Sequence, residues 1–333
     1  MKVAFFSTKS YDREFMDKAN EAYNHEFHYF DTKLEASTAI LASDFDAVCI
    51  FVNDEANRET LEHLKEERVK LVTLRAAGFN NVDIEAAEEM GIKVTRVPAY
   101  SPYAVAEHTL AMILTLNRKT HLAYERIRNG NFSLEKLMGF DLHGKTVGVI
   151  GTGNIGQIFA RIMYGLGCKV LAYDPYPNED FEKEKTASYV GLDEMYPEVD
   201  IVSLHCPLTE DTYHLINPEA IEKMKDNVML INTSRGALVD TKAVIRALKH
   251  RKIGYFGLDV YEQEENLFFQ DLSGHIIQDD DIVRLMTFPN VLITSHQAFF
   301  TENAMNNISD TTLQNINEFE QGKALQNEVR MKK

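Results

Sequence analysis

A glycine-rich turn between an apolar segment and an amphipathic one constrains the fold of this chain more than any other feature. Residues Gly151–Gly156 have the pattern G-x-G-x-x-G and directly follow the strand-like segment Lys145–Ile150. The next apolar residues recur at the spacing of one helix face, namely Ile155, Ile158, Phe159, Ile162, Met163 and Leu166. The predicted strand Lys169–Tyr173 follows, and Asp174 comes 18 positions after the last glycine. This order predicts a β-α-β unit that binds a dinucleotide.

The glycines and the aspartate have separate physical roles in such a unit. Gly151 and Gly153 let the backbone turn and approach a pyrophosphate, and Gly156 lets the helix pack closely on the strand. The helix N-terminus directs free N–H groups and about half a unit of positive charge towards the phosphates. Asp174 is placed to accept hydrogen bonds from the adenosine ribose and would repel a 2′-phosphate, which favours NAD over NADP. The alternative is that the glycines form a turn that binds no ligand and that the aspartate occurs at this spacing by coincidence.

Composition limits the kinds of protein that this chain can be. Its 333 residues suffice for two domains, and 35 basic against 51 acidic residues give a net charge of −16, which argues against nucleic acid or an anionic membrane as a partner. The cysteines, Cys49, Cys168 and Cys206, are too few for a disulfide framework and fit a reducing compartment. The apolar run Val3–Phe6 is too short for a secretory signal, and Ala104–Leu116 is too short for a membrane span. We therefore expect a soluble, cytoplasmic protein.

Two α/β units follow one another along the chain. The first hundred residues contain strand-like segments at Val3–Phe6, Ala47–Val52, Val69–Leu74 and Lys93–Val97, and helix-like segments at Tyr11–Asn20 and Glu55–Glu67. The prolines of Val97–Pro102 then mark a boundary, and Ser101-Pro102 starts a helix that is apolar almost all round, which predicts burial between domains or subunits. From Lys145 the alternation restarts, with later strands at Ile201–His205, Val228–Ile231, Tyr255–Leu258 and Val291–Thr294.

The last predicted helix, near Thr301–Gln321, has no strand partner in the second unit, so we place it against the first. The expected fold class is α/β, with two Rossmann-like or flavodoxin-like doubly wound parallel-sheet domains separated by a cleft. The cofactor domain is expected to be inserted in the substrate domain. The predicted limits are 1–100 and 300–333 for the substrate domain and 101–299 for the NAD-binding domain.

Reactive side chains follow four of the predicted strands, at the carboxyl ends where open parallel sheets bind ligands. They lie in His205–Pro207, Asn232–Gly236, Asp259–Glu264 and Ser295–Gln297. Reduction of a carbonyl requires a hydride, a proton donor that titrates near neutral pH, and a charge that polarises the oxygen. His296 is the candidate proton donor and Arg235 the candidate polarising group, with a carboxylate beside the histidine to orient it. Spacing does not rank the three candidate carboxylates, Glu262, Glu264 and Glu265.

Taken together, these segments resemble the D-isomer-specific 2-hydroxyacid dehydrogenases, and within them the NAD-dependent D-lactate dehydrogenases of fermenting bacteria. The resemblance covers essentially the whole chain. Its matching stretches are Arg75–Asp83, Arg96–Tyr100, Val105–His108, Gly151–Gly156, His205–Pro207, Asn232–Gly236, Asp259–Glu262 and Ser295–Phe299. The implied activity is the reversible, NADH-dependent reduction of pyruvate to D-lactate by a homodimer.

The resemblance also implies roles for individual residues. The implied catalytic residues are Arg235, which binds and polarises the substrate, His296, the acid/base, and Glu264, the histidine's partner. The implied coenzyme contacts are Gly151, Gly153, Asn154, Ile155, Gly156, Asp174, Cys206, Pro207, Thr212, Thr233, Ser234, Arg235 and Asp259. The loop Arg75, Ala76, Ala77 and Gly78 would bind the substrate carboxylate through backbone N–H groups, and Tyr100 and Phe299 would line the pocket with Arg235 and His296. One departure is Thr212, which stands where the family frequently has asparagine.

Alternatives to this function differ in substrate or in class. A related reductase could act on another 2-oxo acid, such as hydroxypyruvate or a branched-chain acid, because one methylene changes selectivity by only about 1–3 kcal/mol. A non-enzymatic NAD-sensing scaffold is a second alternative, but the chain has the complete Arg, Glu and His set and no basic arm. A methyltransferase with the same glycine turn would not need that set. No Cys-x-x-Cys or His-Glu-x-x-His spacing suggests a metal site.

Overall fold

The computed structural model describes residues 1–264 and 267–331 and divides the chain into two compact units. The first unit contains Met1–Ser101 and the described residues from Phe300 onward, and the second contains Pro102–Phe299. No helix of the described ranges combines the length and the hydropathy needed to span a bilayer.

Helices and strands alternate along most of the chain. In the first unit they are β1 (Lys2–Phe5), α1 (Ser10–Asn20), β2 (Glu26–Tyr29), β3 (Ala47–Ile50), α2 (Arg58–Glu66), β4 (Leu71–Leu74), α3 (Ile84–Met90) and β5 (Lys93–Thr95). In the second unit they are α4 (Pro102–Arg118), α5 (Thr120–Arg128), β6 (Thr146–Ile150), α6 (Asn154–Gly165), β7 (Lys169–Tyr173), α7 (Glu179–Lys183), β8 (Ser188–Tyr189), α8 (Leu192–Met195), β9 (Ile201–Leu204), α9 (Pro218–Lys223), β10 (Val228–Asn232), α10 (Thr241–Lys249), β11 (Ile253–Leu258), α11 (Asp280–Met286) and β12 (Val291–Ile293). The last helix, α12 (Glu302–Glu320), belongs to the first unit.

The first unit is built on a five-stranded sheet in the order β2-β1-β3-β4-β5, with every pair parallel. Its central strands β3 and β4 are buried along their whole length, as expected for strands covered on both faces. Helix α12 packs against α1 and β4, which confirms that the last helix returns to the first unit.

The second unit has a seven-stranded parallel sheet in the order β12-β11-β10-β9-β6-β7-β8. The strand order reverses between β6 and β9, and ligands of doubly wound sheets bind at the carboxyl ends beside such a reversal. One core cluster includes Ile150, Val202 and Leu230 and another includes Val149, Ile201 and Ile231, so alternate side chains of each strand pack on opposite faces. These two units confirm the predicted pair of doubly wound parallel-sheet folds.

Several local predictions differ from the structure. Two short elements are not predicted from the sequence. They are β2, a four-residue edge strand in which Glu26 and His28 are exposed, and α3, a helix of only seven residues. Within the second unit, α4 buries Met112 and Ile113 and leaves Leu114 exposed, and its burial between domains or subunits stays a prediction. Predicted strands are often one or two residues too long. The one starting at Ala47 ends at Ile50 because Asp54 Oδ2 accepts a hydrogen bond from Phe51 N–H (2.6 Å) and closes a turn.

Candidate functional site

The glycine turn after β6 has the close packing that its sequence predicts. Gly151 has φ +95°, a left-handed conformation, and a Cβ there would lie 2.6 Å from Cys206 N. A Cβ on Gly156 would lie 1.9 Å from the Gly151 carbonyl oxygen, so neither position accepts a side chain without moving backbone. A Cβ on Gly153 would meet nothing within 4 Å. The turn therefore leaves open space in front of Gly153, where a phosphate can approach the backbone.

Helix α6 starts differently from most helices of the chain. In seven helices the side chain of the N-cap residue accepts a hydrogen bond from one of the first backbone N–H groups. These N-caps are Asn57 (α2), Asp83 (α3), Asn178 (α7), Asn217 (α9), Asp240 (α10), Asp279 (α11) and Thr301 (α12). The N-cap of α6 is Gly153, which has no side chain to do this. The N–H groups at Asn154 and Ile155 are therefore left to a ligand, and the helix dipole favours an anion there.

Asp174 lies directly beyond β7, beside the same turn. Its Oδ2 accepts hydrogen bonds from the N–H (2.7 Å) and the hydroxyl (3.2 Å) of Thr152, and its Oδ1 accepts one from Tyr176 N–H (2.9 Å). The carboxylate is half-buried and held by the glycine turn. Open space at Gly153, an uncapped helix and a fixed carboxylate fit the diphosphate and the ribose of a dinucleotide.

The other predicted coenzyme residues lie at the carboxyl ends of β9 and β10, and their polar atoms are engaged in local bonds. Ser234 Oγ donates to the Cys206 carbonyl (2.6 Å), and the Thr233 and Thr109 hydroxyls are 2.9 Å apart. The Thr212 hydroxyl donates to the Pro207 carbonyl (2.7 Å) and closes that turn. Burial raises the pKa of the Cys206 thiol to about 11, so little of it is thiolate near neutral pH.

His296 and Glu264 form a direct pair. His296 Nδ1 lies 2.8 Å from Glu264 Oε1, and Glu264 Oε2 accepts a hydrogen bond from Tyr261 N–H (2.8 Å). An ionised carboxylate only accepts hydrogen bonds, so we assign the ring proton to Nδ1. The other nitrogen, Nε2, has no hydrogen bond to residues 1–264 and 267–331, and it is the atom that can exchange a proton with a ligand.

The backbone of His296 is held in an unusual conformation by Asp259. His296 has φ +53°, and its N–H donates to the Asp259 carbonyl (2.7 Å). The fully buried Asp259 carboxylate accepts hydrogen bonds from Thr294 Oγ (2.5 Å), Gln297 N–H (2.9 Å) and Ala298 N–H (2.9 Å). Its NAD contact stays a prediction from the resemblance, whereas in the structure Asp259 positions the turn that carries His296.

Arg235 lies on the turn after β10. Its Nη1 donates to the Ser234 carbonyl (2.7 Å), which fixes one corner of the guanidinium, and no carboxylate of the described residues lies within ion-pair distance. The neighbouring Gly236 packs directly on Tyr261, since a Cβ there would lie 2.1 Å from the Tyr261 carbonyl carbon. The structure thus joins the turn of Arg235 to the turn that leads to Glu264.

The structure separates the carboxylates that sequence spacing does not rank. Glu264 pairs with His296, whereas Glu262 Oε1 lies 2.6 Å from His214 Nε2 and its Oε2 accepts a hydrogen bond from the Thr241 hydroxyl (3.0 Å). Glu265 lies outside the described residues.

Two further histidines of the second unit, His108 and His205, are half-buried. His108 Nε2 lies 3.2 Å from Thr294 Oγ and 3.6 Å from Asp259 Oδ1, and burial lowers its pKa although Asp259 opposes the shift. Burial lowers the pKa of His205 to about 3, and its Nε2 lies 2.9 Å from Ser203 Oγ. Neither histidine has a role predicted from the sequence, although both lie in stretches that match the family, Val105–His108 and His205–Pro207.

Arg75, the first residue of the predicted substrate loop, makes contacts that differ from the predicted ones. The Arg75 guanidinium is buried, and its Nη2 donates to the carbonyls of Phe6 and Ser7 (both 2.9 Å). The Arg75 N–H donates to the Ile50 carbonyl (3.1 Å), so this N–H is not available to a substrate carboxylate. The prediction for Arg75 is corrected to a structural role, and the prediction for Ala76, Ala77 and Gly78 stands.

Tyr100 and Phe299, the two residues predicted to line the pocket, lie next to the boundaries between the two units. The Tyr100 carbonyl accepts a hydrogen bond from Asn307 Nδ2 (2.5 Å) within the first unit, and Phe299 of the second unit is buried. Among the described residues, no group of three or more His, Cys, Asp or Glu side chains is arranged to hold a metal ion.

Comparisons with known proteins agree with this geometry. Residues 110–298 match the family model of the D-isomer specific 2-hydroxyacid dehydrogenase NAD binding domain. The chain is 55% identical over 329 residues to a 2-hydroxyacid dehydrogenase homolog of Haemophilus influenzae (99% of both chains). It is 53% identical over 329 residues to a D-lactate dehydrogenase of Escherichia coli (99% of this chain, 100% of that one). The solved structure of the pyruvate reductase of Chlamydomonas reinhardtii superimposes with a TM-score of 0.94 at 45% identity (98% of both chains). The chain therefore belongs to the D-isomer-specific 2-hydroxyacid dehydrogenases, and it is an oxidoreductase that uses NAD.

Proposed function

We propose that this protein is a D-lactate dehydrogenase that reduces pyruvate to D-lactate with NADH and catalyses the reverse reaction. The observation that carries the proposal is the 2.8 Å pair of His296 and Glu264, joined through Tyr261 and Gly236 to the turn of Arg235. The similarity to the E. coli D-lactate dehydrogenase and the C. reinhardtii pyruvate reductase supports pyruvate as the substrate.

The residues of the site divide the work of carbonyl reduction. When bound, the reduced nicotinamide supplies a hydride to the carbonyl carbon. Arg235 polarises the carbonyl oxygen with the guanidinium donors that Ser234 does not engage. His296 donates its Nε2 proton to that oxygen, while Glu264 fixes the ring and stabilises its charged form. In the oxidation of D-lactate, neutral His296 accepts the hydroxyl proton at the same nitrogen.

Coenzyme and substrate recognition follow from the local geometry. The uncapped start of α6 and the space at Gly153 would hold the diphosphate, and Asp174 the adenosine ribose. The N–H groups of Ala76, Ala77 and Gly78 would bind the substrate carboxylate, as the family resemblance implies. We accordingly assign residues 101–299 as the coenzyme domain and residues 1–100 and 300–333 as the substrate domain.

A panel of 2-oxo acids assayed with NADH and NADPH tests the proposal. We expect the highest kcat/KM for pyruvate with NADH. The product should be D-lactate, which a D-specific lactate dehydrogenase oxidises and an L-specific one does not. A higher kcat/KM for hydroxypyruvate or a branched-chain 2-oxo acid would make the protein a related reductase. Binding of NADH without turnover of any acid in the panel would refute an enzymatic role.

We also propose that the protein is a homodimer. Helix α5 buries none of its residues within the described chain. In α5 and the segment between α5 and β6, large apolar side chains are exposed by 55% (Ile127) to 87% (Met138), including Tyr124, Phe132 and Leu134. So many exposed large apolar side chains in one segment are typical of a protein interface. Sedimentation equilibrium tests this, with a dimer expected for the native chain and a monomer for Phe132→Ser/Leu134→Ser; a monomeric native chain would refute it.

A cytoplasmic location is the last part of the proposal. Cys49, Cys168 and Cys206 are buried and unpaired, as expected in a reducing compartment. Fractionation of the source cells tests this, and recovery of the protein outside the cytoplasm would refute it.

A further inference from the structure

A cavity lined by lysines and arginines lies in the second unit, away from the site described above. Its volume is about 710 Å³, and its charged residues are Lys119, Arg126, Lys136, Lys145, Lys225 and Arg251, with Asp200 and Asp226. Six positive and two negative side chains give this wall a charge of +4, in a chain whose net charge is −16. The cavity therefore concentrates positive potential on an otherwise acidic protein and would attract anions.

Both carboxylates of the wall already have cationic partners. Asp200 lies 3.2 Å from Lys225 Nζ, and Asp226 lies 3.0 Å from Lys252 Nζ. Within the described ranges, no carboxylate oxygen lies within 4.0 Å of the charged atoms of the other cations, which are Lys119, Arg126, Lys136, Lys145 and Arg251. Like charges around one cavity repel one another, and a bound anion would relieve that repulsion.

Parts of the wall are fixed before any ligand binds. Lys119 Nζ donates to the Met138 carbonyl (2.7 Å), and Arg126 Nη1 donates to the Glu135 carbonyl (2.6 Å). The rings of Phe140 and Tyr255 lie 6.1 Å apart, with Lys145 Nζ 5.6 Å from the Phe140 centroid. Side chains that are already held lose less conformational entropy on binding than free surface lysines do.

The cavity lies at the amino edge of the seven-stranded sheet. Lys145 and Asp200 precede β6 and β9, and Val228 and Ile253 are the first residues of β10 and β11. Arg235 and Asp259 follow the carboxyl ends of β10 and β11. A five-residue strand such as β10 is roughly 16 Å long. The cavity and the coenzyme site lie at opposite ends of these strands and are therefore separated by about one strand length.

We propose that this cavity is a second binding site, for a polyphosphate of about nucleotide size. A volume of 710 Å³ is within the range of small-molecule sites and is larger than a single phosphate needs. Lys145, Arg251 and Lys136 would bind phosphate oxygens by charge-assisted hydrogen bonds. The Tyr255 and Phe140 rings offer an apolar surface for a flat base.

Isothermal titration calorimetry of the full chain saturated with NADH tests the proposal, because the dinucleotide site is then filled. The probes are GTP and inorganic tripolyphosphate, at low and moderate salt. We expect one probe molecule to bind per chain, more weakly at higher salt. Tighter binding of GTP would show that the aromatic wall contacts a base, and equal binding would show that the phosphates alone are recognised; both support the site.

The decisive comparison uses two double variants that remove the same charge. Lys145→Ala/Arg251→Ala removes two cations of the cavity wall that lie outside the segment 119–140. Lys185→Ala/Lys242→Ala removes two exposed cations elsewhere in the same unit. We expect affinity to fall more than about tenfold in the first variant and less than about twofold in the second, with wild-type NADH oxidation in both. Equal affinity of the two variants, or no binding to the wild type up to about 1 mM, would overturn the proposal.

Discussion

Replacing Arg235 by lysine separates the geometry of this side chain from its charge. In the structure Arg235 Nη1 is held by the Ser234 carbonyl at 2.7 Å, so the plane of the guanidinium is fixed and its remaining donors are left to a substrate. A lysine retains the positive charge but cannot satisfy Ser234 and make a two-point contact at the same time. Loss of one charged hydrogen bond in the transition state costs about 1.5–3 kcal/mol, which lowers kcat/KM by about 10- to 150-fold.

Steady-state NADH oxidation with pyruvate measures this loss. Arg246→Lys, at an exposed position of α10, is the matched control and should change kcat/KM by less than about twofold. Free guanidinium should restore part of the activity of Arg235→Ala, since it replaces the missing planar group. If Arg235→Lys retains wild-type kcat/KM, the planar donor set is not used and Arg235 is removed from the mechanism.

Three further substitutions test other residues of the second unit. Glu264→Gln should lower kcat for pyruvate reduction, because a neutral amide holds the His296 ring less firmly than a carboxylate does; wild-type kcat in this variant would refute the pairing. Asp174→Ala should raise kcat/KM with NADPH relative to NADH, and an unchanged coenzyme ratio would exclude a ribose contact. The pKa of about 3 for His205 lies below its unfolded value of about 6.5, so the unfolded state binds the extra proton and stability falls as pH drops below about 6.5. Urea unfolding should show a loss of at most about 2 kcal/mol between pH 7 and 5 that His205→Asn abolishes, and an identical pH dependence in the variant would contradict this.

Features that depend on local sequence order were predictable. The segment from Lys145 to Asp174 forms the strand, turn, helix and second strand that glycine spacing and helical periodicity indicate. These signals act over a few residues, so no tertiary information is needed to recognise them. The weak signal of the edge strand β2 was missed for the opposite reason, since its place beside β1 is decided by pairing with a strand more than twenty residues away.

The chemical composition of the site was predictable, and one of its pairings was expected from the family resemblance. Residue type and strand-end position indicated a histidine, an arginine and carboxylates, and the resemblance implied Glu264 as the partner of His296. Spacing alone did not rank the carboxylates, and the pairing of Glu262 with His214 appears only in the folded chain. Arg75 shows the limit of the sequence evidence, because its place in a family motif suggested a substrate contact, whereas in the structure its N–H donates to the Ile50 carbonyl and its Nη2 donates to two carbonyls of the first unit.

The way in which His296 is attached to the sheet has a consequence for how the protein fails under stress. Its turn follows β12, a three-residue edge strand whose residues are only half-buried, and the turn depends on a single aspartate, Asp259. Edges with few buried contacts open at lower free energy than the centre of a sheet. Warming or urea should therefore abolish turnover while most of the helical circular dichroism signal is still present. The loss of activity would then measure the opening of the β12 edge of the second sheet and not the unfolding of the sheet's core.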